Sequence, residues 1–158
     1  MSSLHLLNFV AEVLKELLNA VPELVKTTNS SNATAVYAAA AQGHINVVKL
    51  LLDIDESVAS IARNNGKTAL HIAARTGHLE VVRALIEKDP ALSLKTDKKG
   101  QTALHMAAKG QNVMIVREFR NNVSSVIHIV DNKGNTALHT ATRKGRPQVG
   151  FKVLGILN

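Results

Sequence analysis

Three histidines recur at one spacing, and an imidazole can ligate zinc or transfer protons. His71, His105 and His139 follow one another at intervals of 34 residues. If each interval is one structural repeat, stacked helices separate neighbouring rings by roughly 10 Å, whereas zinc ligands all lie about 2 Å from the metal. The spacing therefore predicts no metal site, and we expect each ring to bond within the loop scaffold, near the threonine of its motif.

The other histidines are no better candidates for chemistry. His44 and His78 share a second position in the same period, between two predicted helices, and are expected to be structural. His5 and His128 follow no pattern.

The segment Gly66-Lys67-Thr68 has the ending of a phosphate-binding loop. That motif requires a glycine five residues before its second glycine, and Ile61 stands there instead. The residues that correspond to Lys67 one and two periods later are Gln101 and Asn135, so the lysine is not a fixed part of the pattern. The sequence therefore predicts no catalytic, cofactor-binding or metal-binding residue. We expect a protein that is not an enzyme.

These residues belong to a motif that returns with a fixed period. Gly66, Gly100 and Gly134 are 34 residues apart, and each is followed after one residue by Thr-Ala-Leu-His. A less regular copy stands one period earlier, with Asn32 in place of glycine and Thr34 in place of the later threonines. Self-similarity at this period is typical of a stacked array of repeats.

Each copy is predicted to form a turn, a helix, a loop and a second helix. Asp97 and Gly100 occupy the first and fourth positions of a type I turn, and Thr102 can cap the helix that follows. Gly77 can end such a helix in the left-handed conformation. At that position the third copy has Gln111, with a glycine one residue early.

The two ends of the chain fit the period less well. Residues 4–31 have apolar side chains at helical spacing, and Pro22 stands two periods before Pro90. We interpret them as the outer helix and outgoing loop of an incomplete leading repeat; the alternative is a free amphipathic helix bound to a membrane. The match fails after Arg146, where an apolar segment without a polar capping repeat suggests that the array is truncated.

One outer helix is expected to be irregular. Arg120 stands where Leu52 and Ile86 stand in the two preceding repeats. We therefore expect the third outer helix to be shorter or looser than its neighbours.

The motif Gly-x-Thr-Ala-Leu-His-x-Ala-Ala, followed by Gly-His-Leu-Glu-Val-Val, resembles the ankyrin repeat. The resemblance implies an all-α fold, a solenoid of stacked helix pairs with short turn or hairpin loops and incomplete terminal repeats. It implies a single domain over residues 1–158. The domain begins with a partial leading repeat at residues 1–31, continues with three repeats at residues 32–65, 66–99 and 100–133, and ends with a truncated last repeat at residues 134–158.

Two of the motif copies are similar in sequence to those of plant ankyrin-repeat membrane proteins. They read Asn-Gly-Lys-Thr-Ala-Leu-His and Lys-Gly-Asn-Thr-Ala-Leu-His. In that family a cytosolic repeat domain precedes a C-terminal transmembrane region, and no such region occurs among these residues. The resemblance implies a cytoplasmic location, in one alternative at the cytosolic face of the plasma membrane, and a role in signalling. The lack of cysteine agrees with a reducing compartment.

The positive charge is concentrated in the turns and first helices. Residues 63–76, 97–109 and 131–144 carry net charges of +3, +2 and +2, which together equal the formal net charge of +7. By the ankyrin resemblance, these segments line the surface that usually binds partners. The predicted partner-binding residues are Arg63, Lys67, Arg75, Lys98, Lys99, Lys109, Lys133, Arg143 and Lys144.

The favoured function is a non-catalytic scaffold for protein–protein interaction that binds an acidic protein partner. The alternative is the cytosolic part of a membrane-associated protein that contacts an anionic membrane surface. A nucleic-acid partner ranks third, because the absence of tryptophan and a single tyrosine leave few platforms for base stacking. No small-molecule substrate and no cofactor are expected.

Overall fold

Helices and tight turns alternate along the chain. The structure, a computed structural model, describes residues 3–143 and residue 145, and within them the regular elements are all helical, as the expected all-α class requires. The α-helices are α1 (Ser3–Ala20), α2 (Ala35–Gln42), α3 (Ile45–Ile54), α4 (Ala69–Thr76), α5 (Leu79–Lys88), α6 (Ala103–Gly110), α7 (Val113–Asn122) and α8 (Ala137–Arg143). Short 3₁₀ helices follow α1, α3, α5 and α7 at Pro22–Lys26, Glu56–Ser60, Pro90–Leu94 and Ser124–His128.

The motif threonines begin the first helix of each pair, and a left-handed residue ends it. Thr68 and Thr102 precede α4 and α6 in extended conformation, and each forms a capping box with the histidine of its motif. Gly77 ends α4 with φ 91°. Gln111 ends α6 with φ 63°, so the left-handed position keeps its place in the period although the glycine has moved to 110.

The helices stack in two rows. In the inner row α4 packs against α2 and α6, and α6 packs against α8; in the outer row α5 packs against α3 and α7. Within each repeat α2 contacts α3, α4 contacts α5 and α6 contacts α7. Each helix pair therefore buries its sides against the pairs before and after it, which is the architecture of a solenoid.

Alanines in the inner row make the close stacking possible. Ala73, Ala74 and Ala107 are completely buried between neighbouring helices, where a larger side chain would push the helix axes apart. Leu70 and Leu104 fill the space between the inner and outer rows and are also buried. Truncating such a leucine to alanine typically costs about 2–5 kcal/mol, so both side chains contribute strongly to the stability of the array.

The expectation of a shortened third outer helix is wrong. Helix α7 spans 10 residues, as do α3 and α5. Phe119 is completely buried at the position that Leu51 and Leu85 occupy in the preceding repeats. This larger side chain fills the core beside Arg120, which is half-buried at the edge of the helix.

Helix α1 extends the outer row. It contacts α3 and the 3₁₀ helix at Pro22–Lys26, and Leu18 and Val25 join the core. This placement agrees with the interpretation of an incomplete leading repeat, whose boundaries stay a prediction. None of the described helices combines the length and the apolar character that crossing a bilayer requires. The segment after Arg146 lies outside the described residues.

Candidate functional site

The turn before α6 holds its carboxylate inside and its lysines outside. Asp97 Oδ1 accepts hydrogen bonds from the backbone N–H groups of Lys99 and Gln101, both at 2.9 Å. The N–H of Gly100 closes the turn on the carbonyl of Asp97 at 2.9 Å. Asp97 is buried, whereas Lys98 and Lys99 are exposed. The turn therefore presents positive charge to solvent, whereas its carboxylate bonds to its own backbone and pairs with Lys67 of the preceding turn at 3.9 Å.

The next turn repeats this arrangement around Asp131. Its Oδ1 accepts from the backbone N–H groups of Lys133 and Asn135, both at 2.9 Å, and its Oδ2 accepts from Gln101 Nε2 at 3.2 Å. Burial by itself would raise the pKa of Asp131, but the backbone and side-chain donors outweigh it and lower the pKa to about 2. The carboxylate is thus ionised, and its oxygens are already engaged by donors of the same chain.

Neighbouring turns are joined edge to edge. The N–H of Lys98 donates to the carbonyl of Asn65 at 3.1 Å, and the N–H of Asn132 donates to the carbonyl of Lys99 at 3.0 Å. Asn132 Nδ2 also donates to the carbonyl of Lys98 at 3.0 Å. These bonds fix the spacing of the lysines along the row of turns.

The motif histidines form hydrogen bonds to the backbone of their own turn and of the next turn. His71 Nδ1 accepts from the N–H of Thr68 at 3.2 Å, as expected, and its Nε2 donates to the carbonyl of Gln101 in the next turn at 2.9 Å. His105 bonds in the same way to the carbonyl of Asn135 at 2.9 Å. Because Nδ1 accepts a hydrogen bond, the proton of the neutral ring lies on Nε2. Burial lowers the pKa of both His71 and His105, which favours this neutral form.

The nitrogens of the motif histidines form hydrogen bonds within the scaffold. Among the residues that the structure describes, no group of three or more His, Asp or Glu side chains is placed to hold a metal ion. The two nitrogens of His71 and of His105 are each engaged in the scaffold.

Cations also recur on the inner helices, at one position of the period. Lys109 Nζ donates to Gln101 Oε1, and Arg143 Nη2 donates to Asn135 Oδ1 at 2.7 Å. Arg75, one period before Lys109, is exposed. Polar residues of the turns therefore orient two of these three cations toward the row of lysines.

Lys109 lies at the centre of this positive charge. Burial has the largest effect and lowers the pKa of its ammonium group. The charge of Lys67 lowers this pKa further, Asp97 opposes the shift, and Lys99 and Arg75 add smaller lowering effects. The ammonium group is therefore partly dehydrated and surrounded by like charges.

We call the cations gathered here the basic face. Its members are Lys67, Arg75, Lys98, Lys99, Lys109, Lys133 and Arg143. Five of them line a groove of about 400 Å³ between the last two turns and helices α6 and α8. The five are Lys98, Lys99, Lys109, Lys133 and Arg143.

Few acidic residues lie near the basic face. Asp97 and Asp131 are the only carboxylates in the turns and inner helices, and both are buried. The other ten of the twelve acidic residues lie on α1, on the outer helices, on the 3₁₀ helices or at the junctions between outer and 3₁₀ helices. Five of these ten form ion pairs within the described residues, as Glu118 does with Arg83 at 3.1 Å. Among the described ion pairs, the basic face contributes one, between Lys67 and Asp97 at 3.9 Å.

Two of the nine predicted residues do not join the basic face. The guanidinium group of Arg63 lies 5.0 Å from the centre of the Tyr37 ring, and its Nη1 donates to the Tyr37 hydroxyl at 3.4 Å. Lys144 lies outside the described residues. The remaining seven cluster as described above.

Sequence reasoning missed the polar residues that shape the groove. Gln101 connects Lys109 to Asp131, and Asn132 and Thr140 complete the lining. A signal existed in the period, since Gln101 and Asn135 stand where Lys67 stands, eight residues before a cation of the inner helix in each case.

Comparison with known proteins agrees with this architecture. A family model described as ankyrin repeats (3 copies) matches residues 5–96 and 89–154. No curated protein matches the chain.

Proposed function

Because this chain belongs to the ankyrin-repeat family, we propose that it is a non-catalytic scaffold that binds an acidic protein partner through its basic face. Ankyrin repeats generally mediate binding to protein partners, and a rigid row of repeats offers an extended surface that needs no catalytic group. The acidity of the partner is the specific part of the proposal.

The observation that carries the proposal is the separation of charge between the two sides of the solenoid. Seven cations share the basic face, the two carboxylates beneath them are engaged by the backbone, and the other acidic residues lie elsewhere. Such a field accelerates the approach of an acidic partner, and its effect weakens as salt screens it. A face that served solubility alone would need no such separation, since mixed charges keep a surface soluble.

A comparison of two charge variants tests this proposal. Proximity labelling in cells is carried out with the wild-type protein and with a variant in which Lys98, Lys99, Lys133 and Arg143 are replaced by glutamine. The matched control replaces four cations of α1, the first 3₁₀ helix and the outer helices by glutamine, namely Lys15, Lys26, Lys49 and Lys88. We expect the first variant to lose labelled acidic proteins and the control to retain them. Equal labelling by both variants would contradict the proposal.

The alternative function is contact with an anionic membrane surface. The same cations support it, because each Lys or Arg near an anionic leaflet contributes about 1 kcal/mol. Sedimentation with phosphatidylcholine vesicles, with and without phosphatidylserine, separates the two functions. Binding that requires phosphatidylserine and disappears in the basic-face variant would favour the membrane.

The proposal includes a cytoplasmic location and a role in signalling. The lack of cysteine agrees with a reducing compartment. Fractionation of cells that express the chain tests the location, and the membrane alternative predicts recovery with the plasma membrane.

A further inference from the structure

The groove on the basic face is built differently from the rest of that face. It lies between two consecutive turns, and its five cations come from both turns and from both inner helices beneath them. Lys98, Lys99 and Lys133 approach from the turns, whereas Lys109 and Arg143 approach from α6 and α8. Cations from four elements therefore converge on one volume of about 400 Å³.

The groove offers hydrogen-bond donors but few acceptors. Ammonium and guanidinium groups donate and cannot accept. The one carboxylate of the lining, Asp131, is engaged by the N–H groups of Lys133, Asn135 and Gln101. Gln101 Oε1 is engaged by Lys109. A ligand that matches this groove must be rich in acceptors and must carry negative charge.

The cations of the groove also outnumber its one carboxylate, five to one. Within the described residues, none of the five groove cations forms an ion pair, although exposed cations of the outer row such as Lys88 and Arg83 do. Lys109 is half-buried at the base of the groove, among the charges of Lys99 and its neighbours. An anion in the groove would relieve this repulsion.

We propose that this groove binds a phosphorylated side chain of the protein partner. The inference rests on the proposed function, because it names the group by which the acidic partner is held. A phosphoserine or phosphothreonine carries a charge of about −1.5 to −2 and three acceptor oxygens on one phosphorus atom. A carboxylate carries a single charge and two acceptor oxygens, so it can form fewer charge-assisted hydrogen bonds with the five cations than a phosphate can.

A protein segment fits the groove better than a bilayer. Peripheral attachment to a membrane commonly combines cations with apolar side chains that enter the acyl region. None of the exposed large apolar side chains of the described residues lines the groove. Lys109 and Gln101 lie at its base, where a phosphate on an extended chain can reach them.

Fluorescence anisotropy with three labelled peptides tests the proposal. The peptides share a neutral Gly-Ala sequence and carry phosphoserine, glutamate or serine at the centre. We expect the phosphoserine peptide to bind the wild-type protein about tenfold more tightly than the glutamate peptide, because charge-assisted bonds from several cations converge on one group. The serine peptide should not bind measurably.

Two double variants with equal net charge locate the binding site. In the groove variant Lys99 and Lys133 are replaced by glutamine, and in the control Lys49 and Lys88 of the outer helices are replaced by glutamine. We expect the groove variant to weaken phosphoserine binding about tenfold and the control to change it less than about twofold. Circular dichroism of both variants confirms that the helices are intact.

The outcomes separate this inference from the proposed function. Equal affinity for the phosphoserine and glutamate peptides, or no binding of the phosphoserine peptide at low salt, overturns the phosphate site. The scaffold is judged separately by proximity labelling, which does not depend on phosphate recognition. Equal losses in both double variants overturn the assignment to the groove. Tighter binding to phosphatidylcholine vesicles that contain a phosphoinositide than to the phosphoserine peptide, again lost in the groove variant, overturns the choice of a protein ligand.

Discussion

The bond from the buried ring of His105 to the following turn should stabilise the stack of repeats, and the variant His105→Leu measures this contribution. Leucine keeps the ring's apolar bulk but cannot accept from the N–H of Thr102 at 3.2 Å or donate to the carbonyl of Asn135 at 2.9 Å. Both backbone groups would lose a partner. A buried polar group left without its partner costs about 1–3 kcal/mol. The free energy of unfolding should therefore fall by about 2–6 kcal/mol, a large part of the usual total of about 5–15 kcal/mol.

The matched control is His139→Leu, because His139 occupies the same place in the last described motif. Its Nδ1 accepts from the N–H of Thr136 at 3.2 Å, but the ring is exposed. Water can satisfy the groups that this substitution releases, so the expected loss is about 1 kcal/mol or less. Guanidinium unfolding followed by circular dichroism measures both losses. Equal losses in the two variants would refute the idea that burial and the bond to the next turn stabilise the array.

The same histidines predict how stability depends on pH. Burial lowers the pKa of His71 and His105 below the ordinary value of 6.5, so the folded chain resists protonation more than the unfolded chain does. Their contribution to stability is complete above that ordinary value and decreases as the pH falls below it. Between about pH 7.5 and about pH 5.5 the wild-type protein should lose stability, and His105→Leu should lose less. An equal loss in both proteins would show that other groups cause the dependence.

Three further substitutions test the packing by denaturant unfolding. Ser93→Ala should raise the free energy of unfolding by about 1 kcal/mol. The Ser93 hydroxyl is buried without a hydrogen-bond partner in the described residues, and Ala59 occupies the same position one period earlier. A decrease in the free energy of unfolding would contradict this reasoning. Gln111→Gly should raise it by about 1 kcal/mol, since a residue with φ 63° is strained unless it is glycine. Phe119→Ala should lower it by about 3–5 kcal/mol, and a loss below about 1 kcal/mol would contradict the role of Phe119 in keeping α7 at full length.

The 34-residue period was sufficient to predict the helical architecture. It placed Thr68 and Thr102 at helix starts and Gly77 at a helix end, because capping and left-handed backbone are local requirements that recur with the motif. The 3₁₀ helices were not predicted, although Asp89 and Pro90 stand at the start of one and were available as a signal.

Features that depend on contacts between repeats could not be derived from the period. Gly110 illustrates this limit, because an added Cβ would lie 2.6 Å from the carbonyl oxygen of Arg75 in the preceding repeat. The assignment of Arg63 to the partner-binding surface by its charge stays a prediction, and sequence spacing did not reveal that its guanidinium group stacks on Tyr37. The groove itself depends on the side-chain network of Gln101, which sequence spacing does not reveal.

The central claim is that the basic face binds acidic partners, and a titration of the ¹⁵N-labelled protein with poly-L-glutamate tests it most directly. Amide shifts recorded at low salt and at about 0.15 M salt report both the location and the electrostatic origin of binding. We predict that the shifts concentrate at Lys98, Lys99, Lys109 and Asn132, spare the outer helices α3 and α5, and require higher polymer concentrations at the higher salt. Shifts centred on the outer helices, or a binding curve that does not change with salt, would contradict the claim.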